Sequence, residues 1–372
     1  MRIKVEYLQA TYLKPLNYTL DEFDIITADG YILQLFHVRS INGTQEGPVV
    51  YLQHGLMSSC TDFCVTGNKS LVVSLMESNF DVWMGNTRGS FYSNRHISPS
   101  VTSRKFWKFS WHEIGFYDIP AFINFILDYT KQPNLHYIGH SQGSTVFFVM
   151  TSLLPHFNDK VKSMQALAPA VFMSNVKSPL IRILARFVNV LTLTWDVFQL
   201  EQVVAGDNLF NKIAKVLCQA NDFSLEICSN IMCFLGGCNV DRISEPIIPL
   251  VLKLSPAPAS VYQIFHFAQE MNSKRFCQYD YGKKKNLQMY GDTRPPSYNL
   301  TNVKVPVTLY VGANDLLISI KDVETLGANL SGLEEIIVVP NKNFGHMDFC
   351  WGGEARNLVY KSLINSIRKH SV

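Results

Sequence analysis

The chain has 372 residues, of which 47% are hydrophobic and 17% are charged, and its formal net charge is +3. This length allows one catalytic core with an insertion, and the apolar fraction is sufficient for a large core. A charge so close to neutral gives no electrostatic reason to expect binding to nucleic acid. We expect no metal site, because the eight cysteines form no C-x-x-C pair and no Cys/His set with zinc spacing.

Signals for the cellular compartment conflict. No apolar stretch reaches the roughly 20 residues that span a bilayer, and no apolar run typical of a signal peptide follows the basic residues at the start. Taken literally, these features predict a chain that is not secreted by the usual route and stays inside the cell. Glycosylation tripeptides of the form N-x-S/T favour a secretory route instead; they begin at Asn17, Asn42, Asn68, Asn299 and Asn329. Cysteines clustered over 218–238 fit either a disulfide or buried free thiols.

The first half of the chain alternates short apolar runs with a longer amphipathic one. The runs at 49–52, 80–84 and 135–138 predict buried strands, and the last two are followed by glycine. Between them, the apolar spacing over 117–129 predicts a helix, with Pro120 near its first turn. Strand, helix and strand in alternation predict an α/β fold, with a mostly parallel central sheet and helices on both faces.

The pattern changes over residues 173–300, which are mostly helix-like, apolar and broken by prolines. Strand signals return afterwards, and an amphipathic helix follows them; these elements are predicted at 305–311, 335–339 and 353–368. We therefore predict an α/β core formed by residues 1–172 and 301–372. Residues 173–300 are predicted to form a helical cap or lid inserted into that core.

A G-x-S-x-G pentapeptide, Gly139 to Gly143, lies where the third predicted strand ends, and residues 144–150 continue as a plausible helix. This context is typical of a nucleophile elbow, a sharp strand-to-helix turn that presents a serine above the sheet. The flanking glycines allow the close packing that such a turn requires. We predict Ser141 as the nucleophile.

A serine hydroxyl needs a base to accept its proton, and in this type of enzyme the acid and the histidine follow the serine in chain order. Asp315 comes directly after the strand predicted at 305–311, at the sheet edge where α/β active sites are built. His346 follows the last predicted strand. We predict Asp315 and His346 as the partners of Ser141, with Asp322 as the alternative acid.

The oxyanion formed by attack on an ester requires two N–H donors. The residue after the nucleophile supplies one, which is Gln142 here, and a loop after an early strand supplies the other. Leu56 follows Gly55 in such a loop, and the glycine permits close approach of the backbone. His54 is predicted to support this loop structurally.

Four segments together resemble the acid lipase family, which includes gastric and lysosomal acid lipases. They are Gln53-His54-Gly55-Leu56, the run from Asp81 to Gly89, the pentapeptide around Ser141, and Gly345-His346-Met347-Asp348-Phe349. The resemblance implies a cofactor-independent serine hydrolase that cleaves acylglycerols or sterol esters at a lipid interface. It also implies the triad Ser141, Asp315 and His346, a secreted or lysosomal glycoprotein, and a cap disulfide at Cys218 and Cys228.

Two alternative functions share these residues. A soluble carboxylesterase, thioesterase or acyltransferase would use the same triad on a different substrate. A non-catalytic lipid-binding homologue would keep the fold without turnover. The apolar stretch from Leu191 to Leu200 favours a lid that opens at a lipid interface, although ordinary packing between cap and core explains such residues equally well. Nothing in the sequence predicts the oligomeric state.

Overall fold

A computed structural model of the chain describes residues 2–43, 46–188, 202–203, 237 and 256–371. The predicted disulfide at Cys218 and Cys228 and the apolar stretch 191–200 lie outside these residues. The cysteines that are described carry free, buried thiols; they are Cys60, Cys64, Cys277 and Cys350. In this part of the chain, no helix combines the length and apolar character needed to cross a bilayer.

The strands of the described residues are β1 (Tyr18–Ile26), β2 (Tyr31–Ser40), β3 (Val49–Gln53), β4 (Asp81–Gly85), β5 (Arg95–His96), β6 (Leu135–His140), β7 (Val161–Leu167), β8 (Gln202–Val203), β9 (Ala259–Ser260), β10 (Val307–Val311) and β11 (Leu333–Val338). The main sheet has the order β1-β2-β4-β3-β6-β7-β10-β11, with β5 beside β2. All neighbours from β4 to β11 in this order are parallel, whereas β1, β2 and β5 pair antiparallel. The predicted mostly parallel α/β sheet is confirmed.

The helices that surround this sheet are α1 (Arg2–Leu8), α2 (Leu71–Glu77), α3 (Trp111–Glu113), α4 (Ile119–Thr130), α5 (Gln142–Leu153), α6 (Pro179–Arg186), α7 (Val261–Ser273), α8 (Lys283–Tyr290), α9 (Ile320–Asn329), α10 (Asp348–Trp351) and α11 (Lys361–Lys369). A wide helical turn over Ile114–Asp118 joins α3 to α4. A similar turn over Arg356–Tyr360 precedes α11. The helix predicted from residue 353 therefore begins slightly later, after the Gly352-Gly353 pair.

The strands at the centre of the sheet are the ones most easily recognised in the sequence. Every residue of β3, β4 and β6 is buried, because helices cover both faces of these parallel strands. Such strands read as continuous apolar runs, and all three were predicted. The hairpin of β1 and β2 lies at the sheet edge, and its first strand, β1, mixes buried residues with half-buried and exposed ones.

All five asparagines of the N-x-S/T tripeptides have exposed side chains. They lie at Asn17, Asn42, Asn68, Asn299 and Asn329. None of them belongs to the wall of the large cavity described below. All five positions are therefore at the surface, as glycosylation would require.

Candidate active site

Ser141 lies between the end of β6 and the start of α5 and has φ 54° and ψ −120°, in the left-handed half of backbone space. This conformation is costly for a residue with a side chain and is typical of a nucleophile elbow. The Ser141 N–H donates to the Leu167 carbonyl, at 2.9 Å, which anchors the turn to β7. The predicted strand-turn-helix context is thus present around the predicted nucleophile.

Two glycines permit the elbow. A Cβ added at Gly143 would lie 2.1 Å from the carbonyl oxygen of Gln53, a main-chain atom of β3. A Cβ at Gly139 would lie 2.6 Å from the carbonyl carbon of Gly143 on the other side of the turn. Because both obstacles are backbone atoms, no side-chain movement can make room, and the pentapeptide requires glycine at its first and last positions.

Asp315 and His346 meet beside the elbow. The Asp315 carboxylate accepts at Oδ2 from His346 Nδ1, at 2.8 Å, and both side chains are buried. The other oxygen, Oδ1, accepts from the backbone N–H groups of Leu317 and Ile318, at 2.8 and 2.7 Å. These bonds fix the carboxylate and leave the Nε2 side of the imidazole for a reacting group. The chain thus brings the predicted acid and base into direct contact.

The alternative acid, Asp322, has a different role. It lies in the first turn of α9, where its N–H donates to Ser319 Oγ and its carboxylate accepts from the Ser319 hydroxyl at 2.9 Å. It also accepts from the N–H and the side-chain amide of Asn175, at 2.9 and 2.8 Å. Ser319 therefore caps α9, and Asp322 supports that cap and holds the loop after β7.

His140 positions His346. Its Nε2 donates to the carbonyl of His346, at 3.1 Å, and the two rings lie 4.9 Å apart. Burial, reinforced by the neighbouring His346, lowers the pKa of His140 to about 3. A neutral imidazole keeps its Nε2–H for this bond. The residue before the nucleophile thereby holds the backbone of the base.

The loop after β3 approaches the elbow closely. A Cβ at Gly55 would lie 3.1 Å from the Ser141 Cβ, so glycine gives this loop its short distance to the nucleophile. His54 supports the loop, since Nδ1 donates to the Gly55 carbonyl at 2.8 Å and Nε2 accepts from the Thr87 N–H at 3.1 Å. Burial lowers the pKa of His54 to about 4, which maintains this neutral tautomer. The structure agrees with the predicted supporting role of His54.

A cavity of about 510 Å³ opens onto these residues. Ser141, His346 and Leu56 are part of its wall, and most of its lining is apolar. The apolar wall comes largely from α6, α7 and the loop after Asp315; it includes Ile181, Ala185, Ile264, Phe265, Ala268, Met271, Leu317 and Ile318. A wall of this kind favours an apolar ligand that carries one reactive polar group.

The wall and the acid loop are joined by backbone bonds. The N–H groups of Lys177 and Ser178, which precede α6, both donate to the carbonyl of Leu316, at 2.9 and 3.0 Å. Leu316 directly follows Asp315 in the chain. The entry to α6 is therefore held by the same loop that positions the acid.

A largely buried ion-pair cluster forms around Arg88, which follows β4. Arg88 Nε donates to Asp118 at 2.7 Å, and its Nη2 donates to Asp29 at 2.9 Å. Burial opposes the charge of Arg88, but the two carboxylates prevail and raise its pKa. Burial raises the pKa of Asp118 to about 6 against the opposing effect of Arg88. No local sequence signal indicates this cluster, because the partners lie 30 and 59 residues from Arg88.

Comparison with known proteins identifies the family. A family model described as a partial alpha/beta-hydrolase lipase region matches residues 9–67, and one described as alpha/beta hydrolase fold matches residues 48–207. "Lipase 1" of Drosophila melanogaster is 39% identical, with 99% of this chain and 80% of the relative covered. The human gastric triacylglycerol lipase is 34% identical, and the lysosomal acid lipase/cholesteryl ester hydrolase of Macaca fascicularis is 33% identical. Each match covers 94% of this chain and 88% of the relative.

Comparison with solved structures supports the same fold. A soluble variant of monoglyceride lipase from Saccharomyces cerevisiae aligns with a TM-score of 0.59 at 16% identity, and the alignment covers 95% of each chain. At this identity the likeness supports the α/β-hydrolase fold alone. The full-length relatives carry the stronger conclusion: this chain belongs to the family of gastric and lysosomal acid lipases and is an ester hydrolase of the α/β-hydrolase fold.

Proposed function

We propose that this lipase hydrolyses acylglycerols or sterol esters through an acyl-enzyme on Ser141, with His346 as the base and Asp315 as its partner. The observation that carries the proposal is an apolar-walled cavity that has Ser141 and His346 in its lining, while His346 bonds to buried Asp315. The names of the gastric and lysosomal relatives, a triacylglycerol lipase and a cholesteryl ester hydrolase, support the two substrate classes.

The proposed reaction has two acyl-transfer steps. His346 takes the proton of the Ser141 hydroxyl as its oxygen attacks the ester carbonyl, and Asp315 stabilises the imidazolium that forms. The N–H groups of Gln142 and Leu56 donate to the oxyanion, each lowering the barrier by roughly 3 kcal/mol, as in other oxyanion holes. The alcohol then leaves with the proton from His346. Water, deprotonated by the same histidine, releases the fatty acid and restores Ser141.

The outer face of α6 supports access from a lipid surface. Leu180, Ile183 and Phe187 follow helical spacing and expose 42%, 55% and 57% of their surface. Other residues of the same segment, including Ile181 and Ala185, line the cavity. An apolar outer face continuous with the cavity wall would let a lipid leave an interface and enter the site without crossing water.

Activity assays on three substrates test the proposal. Wild type, Ser141→Ala and the exposed-serine control Ser98→Ala would be given an emulsified long-chain triacylglycerol, an emulsified cholesteryl ester and a soluble short-chain ester, at acid and neutral pH. We expect turnover of an emulsion by wild type and the control, and none by Ser141→Ala. Activity on the short ester alone would establish a soluble esterase. Folded protein without any Ser141-dependent turnover, and without labelling by a phosphonate probe, would establish the non-catalytic alternative.

A second pair of variants tests the lipid surface. Ile183 and Ile41 are both 55% exposed, but only Ile183 belongs to the helix that lines the cavity. Ile183→Glu is expected to reduce activity on the emulsion about tenfold, because an apolar contact of roughly 1.5 kcal/mol or more is lost. Activity on the soluble ester should stay unchanged, and Ile41→Glu should match wild type on both. Equal losses for the two variants would refute an interfacial role of α6.

A further inference from the structure

The helix α7 faces the core with a buried polar stripe. Gln263, His266 and Glu270 recur at helical spacing on one side of α7 and are at most 2% exposed. His266 stacks on Trp111, with ring centroids 3.5 Å apart, and donates at Nε2 to the Cys277 carbonyl at 2.9 Å. Polar contacts of this kind fix the register of a helix, since sliding by one residue would break them. The stripe therefore sets where the cavity-lining side of α7 lies.

The first residue of the stripe contacts the nucleophile elbow. Gln263 Oε1 accepts from the side-chain Nε2 of Gln142, at 2.7 Å, and both side chains are buried. The other polar atom of this side chain, Gln142 Oε1, is buried and has no hydrogen-bond partner among the described residues. The position of the Gln142 side chain is thus fixed by Gln263, a residue 121 positions later in the chain.

The same segment also holds the second donor loop. The Ala257 N–H donates to the carbonyl of Met57, at 2.7 Å, and Met57 has a positive φ of 56° directly after Leu56. Between these contacts, the Ser260 hydroxyl caps α7 and donates to the Trp107 carbonyl at 2.6 Å. Residues 257–263 therefore contact both loops that would supply oxyanion donors.

We propose that Gln263 is a positioning residue for ester hydrolysis, holding Gln142 so that its N–H points at the oxyanion and coupling that donor to the cavity wall. The inference rests on the proposed function of Gln142 as a donor. An oxyanion donor acts over a narrow range of about 2.7–3.1 Å from the developing charge. A displacement of 1 Å can reduce the rate about 100-fold, so a contact that fixes Gln142 affects the rate without touching substrate.

The test compares two methionine substitutions in α7. Gln263→Met keeps the length of the side chain but removes the acceptor. Gln269→Met is the matched control, because the side-chain amide of Gln269 forms two hydrogen bonds of 2.9 Å with the backbone of Asp280 and not with Gln142. On a soluble short-chain ester, Gln263→Met is expected to reduce kcat about tenfold at unchanged KM. Gln269→Met should leave both constants at wild-type values.

Replacing the carbonyl oxygen of the substrate by sulfur separates positioning from general loss of structure. Sulfur accepts hydrogen bonds poorly, so an intact oxyanion hole favours the oxygen ester over its thiono analogue. We expect Gln263→Met to reduce this preference about tenfold, whereas a merely structural defect would slow both substrates equally and refute the proposal. Gln263→Glu keeps an acceptor for the Gln142 side chain, so it should retain most of the wild-type preference for the oxygen ester over the thiono ester.

The Gln142→Met and Gln263→Met variants and their combination complete the test. If both single variants remove the same bond, the double variant should be no slower than the slower single variant. If the rate reduction of the double variant equals the product of the two single reductions, the two residues act independently and the proposed coupling is wrong. Ser141→Ala, purified and assayed in parallel, shows which proposal has failed. Residual activity of Ser141→Ala would refute the proposed function. If Ser141→Ala is inactive but Gln263→Met has wild-type activity, only the inference about Gln263 is refuted.

Discussion

The elbow and the cavity wall of α7 border the same site but are fixed by different means. At the elbow, main-chain atoms of Gln53 and Gly143 leave no room for a side chain on the two glycines. Along α7, a few side-chain bonds hold the helix, and within the described part of the chain Glu270 lies buried with no hydrogen bond to either carboxyl oxygen. Substitutions at the elbow should therefore abolish function or folding, whereas substitutions in α7 should alter selectivity and pH response.

The largest effect is expected at the acid. Asp315→Asn preserves the shape of the side chain but no longer stabilises the imidazolium of His346, so kcat should fall about 10⁴-fold with little change in the melting temperature. Steady-state kinetics on a soluble ester and a thermal melt would measure both. Asp322→Asn is the control, because its partners are Ser319 and Asn175. A larger loss of kcat in the control would overturn the assignment of Asp315.

The elbow should be intolerant of one additional methyl group. Gly143→Ala places a Cβ against the Gln53 carbonyl, and we expect the free energy of unfolding to fall by about 3 kcal/mol. Denaturant titration measures this change. Gly353→Ala is the matched control, since its Cβ would meet no atom within 4 Å and should alter stability by about 0.5 kcal/mol or less. A Gly143→Ala protein as stable as the control would show that the elbow can relax.

Glu270 should make stability depend on pH. Burial, with the charge of Asp322 as a secondary cause, raises the pKa of Glu270 well above its ordinary value. The folded chain therefore holds this proton more tightly than the unfolded chain. The resulting contribution to the free energy of unfolding is fully present below the ordinary pKa of glutamic acid, and it is lost as the pH rises toward the pKa of Glu270 in the folded chain. Glu270→Gln should melt like wild type near pH 4 and at a higher temperature near pH 8.

A companion variant checks the cause. Glu270→Met also removes the unsatisfied polar group, so it should stabilise the protein by about 1–3 kcal/mol at both pH values. Glu77→Gln, on the surface, should leave the pH dependence of the melting temperature as in wild type. If the melting temperatures of wild type and Glu270→Gln change by the same amount between the two pH values, Glu270 is not the titrating group.

The smallest expected effect concerns chain length. Ala268 lies in the cavity wall, so Ala268→Leu should narrow the cavity and reduce the kcat/KM ratio of long to short acyl esters about tenfold. Stability should be nearly unchanged. The exposed residue Ala328 provides the control, Ala328→Leu, for which the ratio should remain at its wild-type value. An unchanged ratio in Ala268→Leu would mean that the acyl chain does not lie along α7.

The same comparison explains what the sequence could predict. The elbow and the acid loop follow fully buried strands, whose apolar runs are visible locally, so Ser141 and Asp315 could be placed at strand ends. His346 follows β11, whose residues are half-buried or exposed but include a short apolar run that could also be recognised locally. β7 was not predicted, because buried polar residues interrupt its apolar run. Ser163 contacts His136 and Gln165 contacts Ser366, which satisfies their polar atoms in the folded chain.

Contacts between distant segments could not be predicted from one sequence. The Gln142–Gln263 bond and the two carboxylates around Arg88 depend on how the segments pack, and no short motif records them. The domain limits at residues 172 and 300 and the role of Cys218 and Cys228 stay predictions. The family resemblance, in contrast, depended on four local motifs and is confirmed by relatives that align over nearly the whole chain.

The Arg88 cluster has a consequence for the order of folding. Its carboxylates come from the turn between β1 and β2 and from the start of α4, while Arg88 itself follows β4. A guanidinium buried with one partner missing would be strongly unfavourable, so partly assembled chains keep Arg88 hydrated. Burial of Arg88 is therefore expected to be coupled to the docking of both the edge hairpin and α4, so that the loss of either carboxylate should weaken the attachment of both segments.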